Sequence, residues 1–192
     1  MSGTQNKVPV PFEKTVNLLH PYNATLVTGK GKNEKINVLA VAWIIPASVD
    51  PPFVAMSIRP ERCSHELIME TGKFVVNIPT FKMAEEVLLC GRRSGRDFEK
   101  FKKASLSLQK AKKVNVPAVK ECVAHLECKL VKTLKTGNHT LIMGQVVAAY
   151  AAEGYFEEIY DLTKFHPCQH LRKNFFTTCT EKSVERDIAN IT

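Results

Sequence analysis

The stretch from Ile36 to Thr80, INVLAVAWIIPASVDPPFVAMSIRPERCSHELIMETGKFVVNIPT, alternates short apolar, β-branched runs with turn signals. Runs of this kind are typical of β-strands. Directly after one predicted strand comes Arg59, and Ser64 and His65 then open a short predicted helix. Arginine side chains and the N–H groups at a helix start both bind phosphate. The stretch therefore fits an anion site beside a sheet, although a capping serine next to a surface arginine fits the same residues.

The rest of the chain continues the β pattern. The predicted strands are Ala24–Thr28, Ile36–Trp43, Phe53–Ile58, Phe74–Ile78, His125–Leu134 and Thr140–Tyr150. Gly137 and Asn138 supply a hairpin turn between the last two. Two helices are predicted, and each is ended by a glycine: Ser64–Glu70 by Gly72 and Met83–Cys90 by Gly91. Most runs lie too close together for a helix between every pair of strands. We therefore expect a mainly β fold, an antiparallel Greek-key barrel with inserted helices.

The length of 192 residues suits one domain with one substantial core. We expect that core at about residues 21–150 and a C-terminal extension at about 165–192, in which Ser183–Ile191 is predicted to be a closing helix. The longest apolar run, Val38–Ala47, contains Pro46 and is far shorter than the ~20 residues of a membrane helix. The N-terminus is polar, and the six cysteines form no CxxC pair. These features predict a cytoplasmic protein with reduced cysteines and no membrane segment.

The formal net charge of +8 points to an anionic ligand, a nucleic acid or simply a basic surface. Many of the lysines lie between Lys100 and Lys120. No aromatic residue follows Phe101 in that stretch, so it lacks the stacking surface that single-stranded nucleic acids need. We interpret it as a solvated lysine face and do not expect nucleic acid as a partner.

Three further segments have the composition of a binding site. The proline-rich segment Ala42–Pro52 starts with Trp43 and has accessible backbone groups, so it suits either a planar ring or an ordinary loop. Asn77 interrupts an apolar strand and must bond a neighbour or face a ligand. The arginine-rich Gly91–Arg96, GRRSGR, is either a second phosphate site or a solvated loop.

The histidines give weaker signals. His139 follows the predicted hairpin turn, where a turn role and a place over a redox site are both open. His166, Cys168 and His170 alternate, which would put them on one face of a strand, but no fourth metal ligand is evident and we expect no metal. The GxxxxGK, GxGxxG, GxSxG and HExxH motifs are absent. Their absence removes the main support for kinase, Rossmann dehydrogenase, α/β-hydrolase and zincin functions.

Several segments match, in order, a known family: LVTGKGKNEKINVLAVAW, PASVDPPFVAMSIRPERCSHELI, TGKFVVNIPT, SGRDFEKF, AHLECKL and GNHTLIMGQVV. Across roughly Pro21–Ala149 the chain resembles the flavin reductase-like, FMN-binding split-barrel family, and most of all its ferric reductase and flavoredoxin branch. This resemblance implies a six-stranded antiparallel Greek-key split barrel and a homodimer with FMN near the subunit interface.

The resemblance also implies roles for individual residues. Arg59, Ser64 and His65 would contact the phosphate, Ala42–Ser48 would meet the flavin ring with Asn77–Thr80 alongside, and His139 would lie near the flavin as the catalytic position, where a nicotinamide can stack. The complete implied cofactor-binding set is Asn37, Ala42, Trp43, Pro46, Ala47, Ser48, Ser57, Arg59, Cys63, Ser64, His65, Asn77, Ile78 and Pro79. No redox role is assigned to Cys63.

Three functional hypotheses follow, in this order. The first is an FMN-dependent oxidoreductase that passes electrons from NADH or NADPH to free flavin, ferric complexes or a protein. The second is an FMN-holding electron carrier without a nicotinamide site, like a flavoredoxin. The third is a basic module that binds a polyanion without any cofactor.

Overall fold

The computed structural model describes residues 6–180, and the predicted helix Ser183–Ile191 lies outside them. The strands are β1 Tyr22–Asn23, β2 Thr25–Lys30, β3 Ile36–Val41, β4 Ile44–Ser48, β5 Phe53–Ile58, β6 Lys73–Ile78, β7 Leu108–Gln109, β8 Ala118–Val119, β9 Ala124–Thr136, β10 His139–Ala151, β11 Gln169–Arg172 and β12 Phe175–Thr177. The α-helices are α1 Cys63–Thr71, α2 Ala84–Arg92 and α3 Lys100–Lys103, and 3-10 helices span Phe12–Leu19 and Phe81–Met83.

One antiparallel sheet of seven strands dominates the fold, in the order β3-β2-β6-β9-β10-β5-β4. Strands β9 and β10 form a long hairpin whose two-residue turn is Gly137 and Asn138, as predicted. Strand β5 has the predicted bounds, and the ends of the other predicted strands shift by at most two residues. The mainly β prediction is confirmed. The small sheet β1-β11-β12 joins residues near both ends of the described chain.

The segment after β3 differs from the prediction. The expected strand Ile36–Trp43 stops at Val41, and Ile44–Ser48, expected to lie in a loop, is the edge strand β4 paired with β5. Pro46 is compatible with this position because an edge strand leaves one row of N–H groups without ladder partners. The main sheet has seven strands where we expected six, and β4 is the additional strand.

The two predicted helices end differently. Helix α1 ends at Gly72, whose φ of 64° is the left-handed conformation of a glycine cap. Helix α2 does not end at Gly91 as predicted but continues to Arg92. A Cβ on Gly91 would lie 3.3 Å from the Cβ of Ala40, so this glycine allows α2 to pack closely on β3. Its role is therefore packing rather than capping.

The main core lies between the curved halves of the seven-stranded sheet and α1. Its largest fully buried side chains include Phe74, Met56, Ile68 and Ile142. The ring of Phe74 sits against Gly144, where a Cβ would overlap the ring. Burial of such side chains stabilises each by about 1.5–3 kcal/mol relative to exposure. Side chains of β2, β5, β6, β9 and β10 meet in this core.

One buried carboxylate, that of Glu127, is paired with backbone N–H groups. Glu127 is fully buried on β9 and accepts hydrogen bonds from the backbone N–H groups of Lys112, Lys113 and Val114 at 2.5, 2.6 and 2.9 Å. This carboxylate therefore fastens the segment before β8 to the sheet. Burial alone would raise the pKa of Glu127, but the three N–H groups hold it below its usual range.

Two further features of the fold concern its thiols and its helices. All six cysteines are free thiols, and five of them are buried. Within residues 6–180, none of the helices combines the length and the apolar character that a membrane-spanning segment needs.

The carboxylate of Glu127 gives a stability test. In the variant Glu127→Gln, the backbone N–H donors of residues 112–114 face either an NH₂ group or a neutral amide oxygen, which is a weaker acceptor than a carboxylate. We therefore expect the free energy of unfolding to fall by about 2–4 kcal/mol. Urea titrations at pH 7 measure it. The matched control is Glu121→Gln, which alters an exposed carboxylate that accepts from Ser107 N–H.

The same group predicts the direction of the pH dependence. Because the pKa of Glu127 is lowered on folding, its stabilisation is present at neutral pH and disappears as the pH falls through the folded-state pKa. The parent should therefore lose more stability on acidification than Glu127→Gln does. Parallel acid sensitivity in the two proteins would refute the assignment.

Candidate functional site

Three neighbouring cavities run along β3 and share lining residues, and together we call them the β3 groove. The arginine end is a cavity of about 220 Å³. The tryptophan section, of about 290 Å³, shares Leu39, Arg59 and Arg62 with it. The hairpin end, of about 350 Å³, lies against the β11–β12 hairpin. The groove therefore offers one continuous surface to an elongated ligand.

The arginine end is strongly cationic. It is lined by Arg59 and Arg62 from the segment between β5 and α1, and by Arg93, Ser94 and Gly95 from the segment after α2. The other lining residues are Asn37, Leu39, Glu61, Cys63 and Lys100. Four cationic side chains thus oppose one carboxylate. Arginines in this arrangement bind phosphate groups through charge-assisted hydrogen bonds.

Lys100 is the buried cation of this cavity, with 3% of its surface exposed. Its Nζ donates to the carbonyl oxygens of Val38 and Cys90, both at 2.7 Å. Burial lowers the pKa of Lys100 to about 8, against a smaller opposite effect of Cys90 and Cys63. A buried ammonium with only neutral carbonyl partners is stabilised by an anion.

The predicted phosphate contacts Ser64 and His65 lie elsewhere. Ser64 is fully buried, and its Oγ accepts a hydrogen bond from Asn37 Nδ2 at 2.8 Å. His65 faces a separate cavity near the β9–β10 turn, where its Nε2 is 3.0 Å from Thr140 Oγ1. Neither lines the arginine end, because the first turn of α1 directs these side chains into the protein and towards β10. Arg59 alone among the three predicted phosphate residues lines the groove.

The tryptophan section contains the aromatic part of the site. Trp43 stacks on His139, with ring centroids 5.0 Å apart and an angle of 29° between the ring planes. Ala42, Ser57 and Arg59 line the same cavity, as do His20 and His170 from the ends of the described chain. Burial and the positive charges of Arg59 and Arg62 lower the pKa of His139, while Glu61 acts in the opposite direction. His139 is therefore neutral at pH 7.

Several predicted cofactor residues do not meet in the groove. Asn77 has no exposed surface: its Nδ2 donates to Leu26 O at 2.8 Å, and its Oδ1 accepts from Val119 N at 2.8 Å and lies 2.9 Å from His125 Nδ1. These bonds satisfy its amide, so of the two predicted alternatives the structure shows the bond to a neighbour. The other predicted residues outside the groove are Pro46, Ala47, Ser48, Ile78 and Pro79.

The structure thus brings together a subset of the predicted residues and adds others. The predicted members of the groove are Asn37, Ala42, Trp43, Ser57, Arg59, Cys63 and His139. Sequence reasoning missed Arg62, Lys100 and His20 as site residues, and it left Arg93 and Ser94 in an open alternative. The arginine-rich composition of Gly91–Arg96 was the available signal, whereas a buried lysine in a lysine-rich stretch carries none.

The alternating histidines and cysteine of the tail are also separated. Cys168 is buried in a core cluster that includes Leu26 and Val87, and His170 lines the groove. Among residues 6–180, no three His, Cys, Asp or Glu side chains gather in a way that suits a metal ion. The His20 ring binds the His170 carbonyl at 2.9 Å and so fixes the hairpin to the N-terminal segment.

Comparison with known proteins adds independent information. The model of the flavin reductase like domain family matches residues 18–176. The chain is similar to an uncharacterized protein of Archaeoglobus fulgidus, at 38% identity over 150 residues that cover 78% of this chain and 85% of that protein. It is also similar to the ferric-chelate reductase (NAD(P)H) of the same organism, at 29% identity over 130 residues, covering 67% and 75% of the two chains. Among solved structures, flavoredoxin from Methanosarcina acetivorans has a TM-score of 0.83 and 25% identity, covering 94% of this chain and 95% of that chain.

The stack of Trp43 on His139 can be tested by fluorescence, because Trp43 is the single tryptophan of the chain. A protonated imidazole quenches indole fluorescence and a neutral one does so weakly. Since the pKa of His139 is lowered, we expect quenching to begin below the pH at which an ordinary histidine titrates, about 6.5. The variant His139→Asn should lose this transition, and the control His65→Asn should keep it. An unchanged acid transition in His139→Asn would show that the two rings do not stack in solution.

Proposed function

Because the chain belongs to the flavin reductase-like domain family, we propose that the β3 groove binds FMN and that the protein is an oxidoreductase that takes electrons from NADH or NADPH. The observation that carries this proposal is the meeting of Arg59, Arg62, Arg93 and the buried Lys100 in one cavity beside a stacked Trp43. A phosphate site next to an aromatic section matches the two ends of FMN.

The arginine end suits the phosphate of FMN. Arg59, Arg62 and Arg93 approach the cavity from two segments, and Ser94 adds a hydroxyl. Lys100 is held by two carbonyl groups before any ligand arrives, so its positive charge is preorganised. Preorganised donors bind an anion without the entropy cost of ordering flexible side chains.

The tryptophan section suits the flavin ring. Ala42, directly after β3, and Ser57 of β5 line the cavity wall, and Trp43 and His139 supply flat ring surface. When bound there, FMN supplies the redox chemistry by accepting a hydride from a nicotinamide. The chain's part is to orient the ring and exclude water, and Arg59 and Arg62 place positive charge nearby, which favours a reduced anionic ring. Neutral His139 acts as a positioning contact.

The electron acceptors that we propose are free flavin, ferric complexes or a protein. The similarity to a ferric-chelate reductase supports the second class. We also propose that residues 1–192 form a single domain with its core at about 21–150, and that it works in the cytoplasm, where the free thiols stay reduced.

Exposed apolar side chains support a homodimer with FMN near its interface. The 3-10 helix Phe12–Leu19 buries none of its residues, and Phe12 is 94% exposed. The tip of the β9–β10 hairpin exposes Val131 and Leu134. Large apolar surface left open on one chain is typical of a protein–protein interface. A second copy of the chain is the partner that we propose.

One observation favours a second candidate, an electron carrier like a flavoredoxin. In the tryptophan section Trp43 already covers a face of His139, so a nicotinamide must displace it in order to stack there. Under this alternative the protein binds FMN and receives electrons from another protein. The similarity to a flavoredoxin supports it.

The colour of the purified protein distinguishes the reductase from the electron carrier. We expect the purified protein to be yellow with FMN and to bleach when NADH or NADPH is added without oxygen. Yellow protein that keeps its colour with both nucleotides, but bleaches with dithionite, would establish the carrier alternative. Protein that neither carries nor binds FMN would refute both.

The phosphate site is tested by charge removal. Replacing Arg59 and Arg62 with Ala together should weaken FMN binding by about a hundredfold, since each charge-assisted hydrogen bond contributes about 1.5 kcal/mol or more. Riboflavin, which lacks the phosphate, should bind both proteins almost equally. The control Lys103→Ala with Lys120→Ala removes the same charge from exposed positions outside the groove. Equal losses for FMN and riboflavin would place the phosphate elsewhere. Isothermal titration calorimetry measures both ligands.

A further inference from the structure

The FMN site proposed above uses the arginine end and the tryptophan section, and it gives no role to the hairpin end of the β3 groove. Its charged and aromatic lining residues are Arg92 at the end of α2 and His170, Arg172, Lys173 and Phe176 from the β11–β12 hairpin. Three of these side chains are formally cationic, and no carboxylate lines the cavity. Its floor is apolar and includes Ala24, Ala40, Val87 and Leu88. The volume of about 350 Å³ lies within the range of roughly 300–1,000 Å³ that is usual for ligand clefts.

Strand pairing and side-chain contacts hold the walls of this cavity in place. The hairpin that forms its outer wall is paired with β1, so that Tyr22 faces His170 and Asn23 faces Gln169. Arg92 Nη2 donates to Asn174 Oδ1 at 2.9 Å and so connects helix α2 to the hairpin turn. The His170 ring contacts the Phe176 ring at 5.2 Å between centroids. Two walls of the cavity are thus held at a defined distance, with cations on both.

The cavity continues into the proposed flavin section. The tryptophan section and the hairpin end share Ala40, Ala42, Gly91 and His170. A ligand with a flat group beside Trp43 can therefore extend along β3 into the cationic cavity. Under the function proposed above, the flavin ring lies in the tryptophan section, and the nicotinamide of a dinucleotide must come to that ring to deliver its hydride.

The charges that line the hairpin end indicate which dinucleotide, NADH or NADPH, the cavity suits. In Rossmann folds a carboxylate accepts a hydrogen bond from the ribose 2′-hydroxyl of NADH, whereas an arginine binds the 2′-phosphate of NADPH. The underlying charge preference is independent of the fold, because a phosphate favours arginine and is repelled by a carboxylate. The hairpin end has arginines on two walls and no carboxylate in its lining. We propose that this cavity binds the adenosine 2′-phosphate of NADPH, with Arg92, Arg172 and Lys173 on the phosphate and Phe176 beside the adenine, and that it makes the protein selective for NADPH over NADH. This inference rests on the proposed function.

Fragments of the dinucleotide test the cavity without requiring catalysis. In calorimetric titrations of the FMN-loaded protein, 2′,5′-ADP should bind at least about tenfold more tightly than 5′-AMP. The double variant Arg172→Gln with Lys173→Gln should lose most of this ratio and keep its affinity for 5′-AMP and FMN. The matched control, Lys103→Gln with Lys120→Gln, removes the same charge outside the groove and should keep the ratio.

Anaerobic flavin reduction gives the second readout. The parent should have a lower KM for NADPH than for NADH, and the double variant should raise the KM for NADPH about tenfold with little change in kcat or in the KM for NADH. A ratio of 2′,5′-ADP to 5′-AMP affinity near one in the parent, or a ratio preserved in the double variant, would overturn the subsite.

The outcomes also separate this inference from the proposed function. Reduction by NADH and NADPH alike, without preference for 2′,5′-ADP, leaves the reductase standing and removes the subsite. Preferential binding of 2′,5′-ADP that depends on Arg172 and Lys173, in a protein that neither nucleotide reduces, supports the subsite and removes the reductase. Equally tight binding of 5′-AMP would instead indicate a general adenylate site and overturn the 2′-phosphate selectivity.

Discussion

The hydrogen bond from Asn37 Nδ2 to Ser64 Oγ joins β3 to the start of α1, and the geometry of the groove depends on it. Both side chains are buried, so neither can exchange this bond for water. Gly95 lies so close to Asn37 that a Cβ there would overlap its amide. Three segments far apart in the chain therefore meet at one strand, and the arginines on either side of this contact are directed into one cavity.

Charge is distributed unevenly over the molecule. The formal charge of +8 suggests a uniformly basic surface, and most lysines between residues 100 and 120 are indeed exposed. Lys100 is the exception in that stretch, because its side chain runs inward to the carbonyls of Val38 and Cys90. Its burial is unfavourable for the ammonium form, and the lowered pKa records that cost. An anion bound in the adjoining cavity would offset this cost, and the phosphate site that we propose rests on this effect.

The fold was largely predictable because it follows from local pattern. A short apolar run between turn signals gave β5 its observed bounds, and the Gly137–Asn138 turn placed the β9–β10 hairpin, since both signals act between near neighbours. Gly91 was misjudged as a helix end, because a glycine that relieves contact with Ala40 looks in sequence like a glycine that caps a helix. Strand β4 was missed for a similar reason: Pro46 argues against a central strand but not against an edge strand.

The sequence by itself determined the fold class, the family resemblance and Arg59, Trp43 and His139 as residues of interest. Only the tertiary structure decided which polar side chains line the groove. Ser64 accepts a hydrogen bond from Asn37, and Asn77 bonds Leu26 and Val119 inside the protein. Arg62, Arg93 and Lys100 instead converge on the groove. The physical reason is that burial and hydrogen-bond pairing depend on contacts between segments that lie tens of residues apart. No local pattern records those contacts, and so the division between structural and ligand-facing polar groups appears only when the chain is folded.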